Sequence, residues 1–224
     1  MMKKIVILTG GTSGIGLETA KCLSAAGCTV YEFSRREAEL PGMRHMRVDV
    51  SDFAQVKDAV EQVFAAEGRI DVLINNAGFG ISGAFEFTEE ADARRLMDVN
   101  LFGMNNTIRA VLPHMRAAGS GRIVNLSSVA GPLPIPFQAW YSISKAAVNA
   151  LTMALANEVK PYGVSVCSVM PGDIKPASPP PAKRASPAMI STAGASPDPY
   201  RRWRRTSRPA WIPRWRAGSS RSWH

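Results

Sequence analysis

The chain has 224 residues, enough to bury a core in one domain, and a formal net charge of +9. Ten of its 27 Lys and Arg but one of its 18 acids fall in residues 176–224, so residues 1–175 hold 17 of each. The excess charge belongs to the tail, and it excludes nothing and implies nothing about what the neutral body binds.

Three scattered cysteines, Cys22, Cys28 and Cys167, have no metal-ligand spacing and form no disulfide framework. They fit idle or buried thiols in a reducing, cytoplasmic compartment. The apolar run Ile5–Leu8 is too short for a membrane span or a signal core, so no membrane partner is expected and the run reads as a strand.

Six β-branched apolar runs predict strands at Lys3–Thr9, Thr29–Ser34, Met43–Val48, Ile70–Asn75, Arg122–Ser127 and Val164–Val169. Between them, apolar residues recur at three and four, predicting helices over Ile15–Ala26, Phe53–Ala66, Ala91–Ala118 and Tyr141–Lys160. Asp52 is placed to cap the second helix, and Gly27, Gly68 and Gly163 each close a helix before the next strand. Strand and helix in alternation predict an α/β fold, a Rossmann-type doubly wound parallel sheet over residues 1–175.

The first strand runs into Thr9-Gly10-Gly11-Thr12-Ser13-Gly14-Ile15-Gly16 and then a helix. Glycines let such a loop turn tightly and admit a pyrophosphate against backbone N–H groups and a helix N-terminus. The second strand ends in Phe33-Ser34-Arg35-Arg36. With no acid at that turn to bond a ribose 2′-OH, Arg35, with Ser34 and Arg36 beside it, predicts a 2′-phosphate and so NADP(H), with NAD(H) the alternative. Tyr141-Ser142-Ile143-Ser144-Lys145 sets a phenol and an ammonium one helical turn apart, where the cation favours the phenolate needed for acid–base work.

The loop form T-G-x-x-x-G-I-G, then Asn75-Asn76-Ala77-Gly78 after the fourth strand, Tyr141-x-x-x-Lys145 and Pro171-Gly172 after the sixth follow in order over residues 3–175. In these motifs the chain resembles the short-chain dehydrogenase/reductase family. The resemblance implies a hydride transfer between a nicotinamide and a carbonyl or alcohol. It implies a tetrad of Asn100, Ser128, Tyr141 and Lys145, with Ser128 thirteen residues before Tyr141 and Ser127 the competing serine. Asn100 would position a water leading from Lys145 to solvent. It also implies a cofactor site of Gly10, Thr12, Ser13, Gly14, Ile15, Gly16, Ser34, Arg35, Asp49, Val50, Asn76, Ala77, Gly78, Tyr141, Lys145, Pro171, Gly172 and Ile174, with Asp49 at the adenine and Ile174 at the carboxamide. The family suggests a homodimer or homotetramer. Substrate identity is left at a ketone or aldehyde class, with Gly131–Phe137 and Phe79–Phe87 expected to line an apolar pocket. A cofactor-binding protein without turnover is the other reading.

Residues 176–224 carry nine of the 16 prolines and four of the five tryptophans, with no Leu or Val. They read as an irregular tail, and a nucleic-acid arm is the weaker alternative. Where the family carries Thr after Pro-Gly, this chain has Pro176. Codons for Pro176-Ala177-Ser178-Pro179, with one base restored in front, can encode Thr-Gly-Phe-Thr, so a change of reading frame after Lys175 is the expectation, with a selected tail the alternative.

Overall fold

The structure, a computed structural model, describes residues 3–172; Ile174 and the tail at 176–224 lie outside the described residues. Six parallel strands form one sheet in the order β3-β2-β1-β4-β5-β6. They are β1 Ile5–Thr9, β2 Thr29–Ser34, β3 Arg44–Arg47, β4 Val72–Asn75, β5 Gly121–Leu126 and β6 Val164–Val169. Helices α1 Gly14–Ala25, α2 Phe53–Glu67, α3 Glu90–Met97, α4 Met104–Ala117 and α5 Ala139–Val159 connect them. No helix among the described residues is long and apolar enough to cross a membrane.

β1 is buried along its whole length because both of its faces are covered, which is why it reads as an unbroken apolar run. Ile5 and Ile7 enter a cluster with Phe33, Val56, Val60 and Val63. Val6 and Leu8 point the other way, toward Ala20, Val30 and Ile74. Burying a side chain such as Phe33, with no exposure, stabilises the fold by roughly 2–3 kcal/mol.

Helix α2 begins where Asp52 accepts from the N–H groups of Ala54 and Gln55 at 2.9 and 3.2 Å. These bonds hold the Asp52 carboxyl below its ordinary range. It stops at Gly68, whose φ of 70° turns its N–H back to the Phe64 carbonyl. The helix expected over Ala91–Ala118 divides in three: α3, a π-helical turn at Asp98–Gly103, and α4. The extra residue in that turn is invisible to a 3.6-residue period, and it redirects Asn100 inward. The thiols also differ from a buried reading: Cys22 and Cys167 are free and exposed.

Strand order reverses direction between β1 and β4, so the loops after those strands diverge and leave a crevice at their carboxyl ends. The motif residues after β1, β2, β4, β5 and β6 all lie at this one end of the sheet.

Candidate active site

The Gly-rich loop is fixed from below. Gly10 has φ 69° and donates to the Phe33 carbonyl, and a Cβ there would come 2.9 Å from Ala77 Cα. A Cβ on Gly16 would lie 2.3 Å from the Gly10 oxygen, so α1 meets the loop only because residue 16 is glycine. Asn76 Nδ2 donates to the carbonyls of Thr9 and Gly10, while the Thr9 hydroxyl accepts the N–H groups of Asn76 and Ala77. Asn76 is therefore a clamp between β4 and the loop.

Gly14, with φ 55°, has open space before it. Ser13 does not cap α1 with its side chain, and no acid stands in the first turn. Thr12 is half-buried, and Ser13, Gly14 and Ile15 are exposed at the mouth. This is a cradle of the shape and polarity a pyrophosphate needs, so the residues fit a dinucleotide. Ser34 ends β2 and Arg35 follows it, with the Arg35 guanidinium 4.0 Å from the Asp49 carboxylate. Val50 is buried against Gly103 of the π-turn, where a Cβ would come within 2.7 Å of its side chain.

Farther along the crevice, three of the expected residues, Asn100, Tyr141 and Lys145, are linked. Ser128 lies in the strand-to-helix connection after β5, and Tyr141 and Lys145 lie on one face of α5. Lys145 is 5% exposed, donates from Nζ to the Leu126 carbonyl at 2.7 Å, and sits 5.7 Å from the Tyr141 ring centre. Burial lowers its pKa from 10.5 to about 8. The Ser128 oxygen accepts the Ala130 N–H at 3.1 Å, leaving its proton for another acceptor. The Ser127 hydroxyl donates to the Lys145 carbonyl at 3.0 Å, which commits it to α5.

Asn100 is fully buried in the π-turn. Its oxygen accepts the Phe79 N–H and its amide donates to the Phe79 carbonyl and to Ser144 Oγ, which in turn donates to the Tyr141 carbonyl. Ser144 thus ties Asn100 to the helical turn carrying Tyr141. Sequence reasoning gave it no role, although it stands inside the Tyr–Lys motif. A Cβ on Gly78 would fall 3.0 Å from Asn100 Oδ1 and 3.8 Å from Lys145 Nζ, so its missing side chain keeps the space between the two open. Pro171 accepts the Val129 N–H and holds the β6 exit beside Ser128.

Beneath this, an amide ladder missed in the sequence crosses the sheet. Asn75 donates to Asn125 and accepts from Thr107, and Asn125 donates to Thr152 of α5, all buried. Over the site, the two expected apolar loops meet: Gly83 donates to the Phe137 carbonyl, and Phe85 stacks on Trp140 with centres 5.9 Å apart. Phe85 and Leu133 are 62% and 70% exposed, so among the described residues they edge an open cleft rather than a closed pocket. Two recesses, beside Lys3, Cys28 and Arg44 and beside Met46, Gln55 and Gln62, lie away from Tyr141 and Lys145.

Comparison with known proteins agrees with this arrangement. The short chain dehydrogenase family model matches residues 4–180. A 3-ketodihydrosphingosine reductase of Bacteroides thetaiotaomicron is 47% identical over 174 residues, covering 77% of this chain and 65% of the relative. The chain therefore spans slightly less than two thirds of that protein. Among solved structures, a short-chain dehydrogenase from Streptomyces avermitilis superposes with a TM-score of 0.79 at 36% identity, over 85% of this chain and 75% of its own. ElxO with NADP bound gives 0.75 at 31%, over 79% and 76%, and NAD+-bound xylitol dehydrogenase gives 0.74 at 31%, over 78% and 72%. The family match over most of the chain, together with the site geometry, shows that this protein belongs to the short chain dehydrogenase family.

Proposed function

We propose that the protein interconverts a ketone and its secondary alcohol with NADP(H), Tyr141 acting as general acid and base. The observation that carries the reading is the buried Lys145 ammonium beside Tyr141, with Asn100 Oδ1 and Lys145 Nζ both within 4 Å of where a Gly78 Cβ would stand. When bound, the nicotinamide supplies the hydride to the carbonyl carbon, or takes it back in the reverse direction. Tyr141 gives its phenolic proton to the carbonyl oxygen, Ser128 donates a hydrogen bond to the same oxygen, and Lys145 Nζ returns a proton to Tyr141. Lys145 is suited to this because burial brings its pKa to about 8, near the working range. Asn100 holds the other side of the gap at Gly78, through which a water would refill Lys145.

The cofactor would lie along Gly10–Gly16, with the ribose phosphate at Ser34 and Arg35, the adenine at Asp49 and Val50, and the nicotinamide ribose at Lys145 and Asn76–Gly78. Ile174, expected at the carboxamide, lies outside the described residues. Phe85, Leu133, Phe137 and Trp140 favour a lipophilic ketone, in keeping with the name of the Bacteroides relative. The test is NADPH oxidation with 3-ketodihydrosphingosine against small hydrophilic ketones. Turnover of the lipid ketone is expected, with Tyr141→Phe losing at least about a hundredfold in kcat while its NADPH affinity changes less than about threefold. Equal turnover by that variant would overturn the assignment.

A second reading, a cofactor binder with little turnover, is favoured by the composition break at Pro176. The frame-restored gene product would then turn over far faster than the chain as it stands. Equal rates, or an early stop codon in the restored frame, would dismiss it.

A further inference from the structure

Glu32, the one charged residue on β2, is fully buried and has no part in the reaction above. Its Oε1 accepts the Gly11 N–H at 2.7 Å. Its Oε2 accepts the Ser34 hydroxyl at 3.1 Å and lies 2.7 Å from His45 Nδ1 on β3. The fit around it is close: a Cβ on Gly11 would come 2.6 Å from Glu32 Cγ. A carboxylate shut away from water is costly unless paired, and a plain apolar residue could fill this volume. The network joins the two structural parts that define the cofactor end of the site, the Gly-rich loop and the Ser34–Arg35 turn.

We propose that Glu32 is a specificity-determining residue that restrains the preference for NADPH and keeps NADH usable. The proposal rests on the reading of Ser34 and Arg35 as the ribose 2′ site. Two effects follow from its position. First, a carboxylate is acceptor-only, so the Ser34 proton goes to Glu32 at 3.1 Å or to the Arg36 carbonyl at 3.3 Å, and in either case the Ser34 oxygen presents lone pairs outward. That suits a ribose 2′-OH, which donates, and opposes a phosphate, which accepts. Second, the Glu32 charge lies beneath the turn where the phosphate would sit, fully buried and paired, among the described residues, with His45. On the solvent side the Arg35 guanidinium opposes this bias, but it is half-exposed and shares its field with Asp49 at 4.0 Å. Glu37, 3.7 Å from His45 Nε2, adds a further negative charge at the same edge.

Glu32→Gln tests this with little change of shape. The Gln oxygen still accepts from Gly11, while its amide donates to Ser34 and removes the charged acceptor, leaving the Ser34 proton only the longer bond to the Arg36 carbonyl to give up for a phosphate. Equilibrium titrations of NADPH and NADH against the full chain, followed by cofactor fluorescence, give the ratio of the two affinities. Removal of one buried charge near a phosphate bearing about two charges should raise the NADPH-over-NADH ratio roughly tenfold. Ser34→Ala, which leaves Glu32 in place, should raise it severalfold by weakening NADH, whereas a Ser34 that donates to phosphate would give the opposite sign. A ratio unmoved by Glu32→Gln, or lowered by Ser34→Ala, overturns the proposal, since loosening of the loop alone would weaken both dinucleotides together. If Glu32→Gln does not fold, the sign of the Ser34→Ala effect decides. Wild-type protein that binds neither dinucleotide would instead refute the proposed function and this inference with it.

Discussion

Lys145 costs the fold stability for the sake of the site, and the cost can be read from the pH dependence of unfolding. Its pKa is lowered from 10.5 to about 8 by burial. Between those values the unfolded chain keeps a proton that the native state has released, so stability rises with pH across that window. At about 1.4 kcal/mol per pH unit, the whole gap amounts to about 3 kcal/mol. The substitution Lys145→Met preserves the volume and removes the charge, but it leaves the Leu126 carbonyl without its donor, which costs about 1–3 kcal/mol at every pH. The informative quantity is therefore the stability difference between chains with and without Lys145→Met, measured by urea unfolding from about pH 7 to 10.5 in a Tyr141→Phe background that removes the neighbouring phenol. The chain that keeps Lys145 should gain about 3 kcal/mol on the Lys145→Met chain, most of it above about pH 8. A difference that stays flat or falls with pH would refute the argument, because it would mean that the ammonium is not desolvated in the fold.

Gly78→Ala should fill the gap between Asn100 and Lys145 and lower kcat by about tenfold or more, with NADPH affinity, read by fluorescence titration, changed much less. Asn125→Leu should cost about 2–4 kcal/mol in urea unfolding, because it strands the buried Asn75 amide that now donates to it.

The sheet is legible because parallel strands covered on both faces must be largely apolar, so β1 announces itself as a short apolar run before the Gly-rich loop and β4 as one after the helix end at Gly68. The Tyr141–Lys145 pair is legible for a different reason, since the two lie one turn apart on a single helix, whereas Ser128 and Asn100 entered only through the family resemblance. What could not be read is whatever depends on two distant segments meeting. Glu32 looks like an isolated acid in a strand until the fold brings His45, Gly11 and Ser34 around it. Ser144 has no evident purpose until the π-turn swings Asn100 within 3.1 Å of it. That turn adds a residue to a helical run without changing its composition, so the apolar period passes through Ala91–Ala118 as though the helix were continuous.

Ser127 and Ser128, where the chain leaves β5, show how the two kinds of information combine. Adjacent residues leaving a strand point to opposite sides, so one of the pair must face α5 and the other the crevice, but alternation alone does not say which. The bond from Ser127 to the Lys145 carbonyl turns Ser127 toward α5, and it also fixes the helix that carries both Tyr141 and Lys145. The same logic runs through the buried polar set. Asn75, Asn100, Asn125, Thr107, Thr152 and Ser144 each commit side-chain hydrogen bonds to a neighbouring element at the carboxyl end of the sheet. An apolar core of the same volume would hold the sheet together but would let these elements slide, since apolar contacts are not directional. Directional bonds fix angles as well as distances, and the proposed reaction needs a hydride donor, a phenol and a serine to converge on one carbonyl within a fraction of an ångström. The domain therefore places its costly buried polar groups at the end of the sheet where orientation matters and leaves the rest of the core to Ile, Val and Leu.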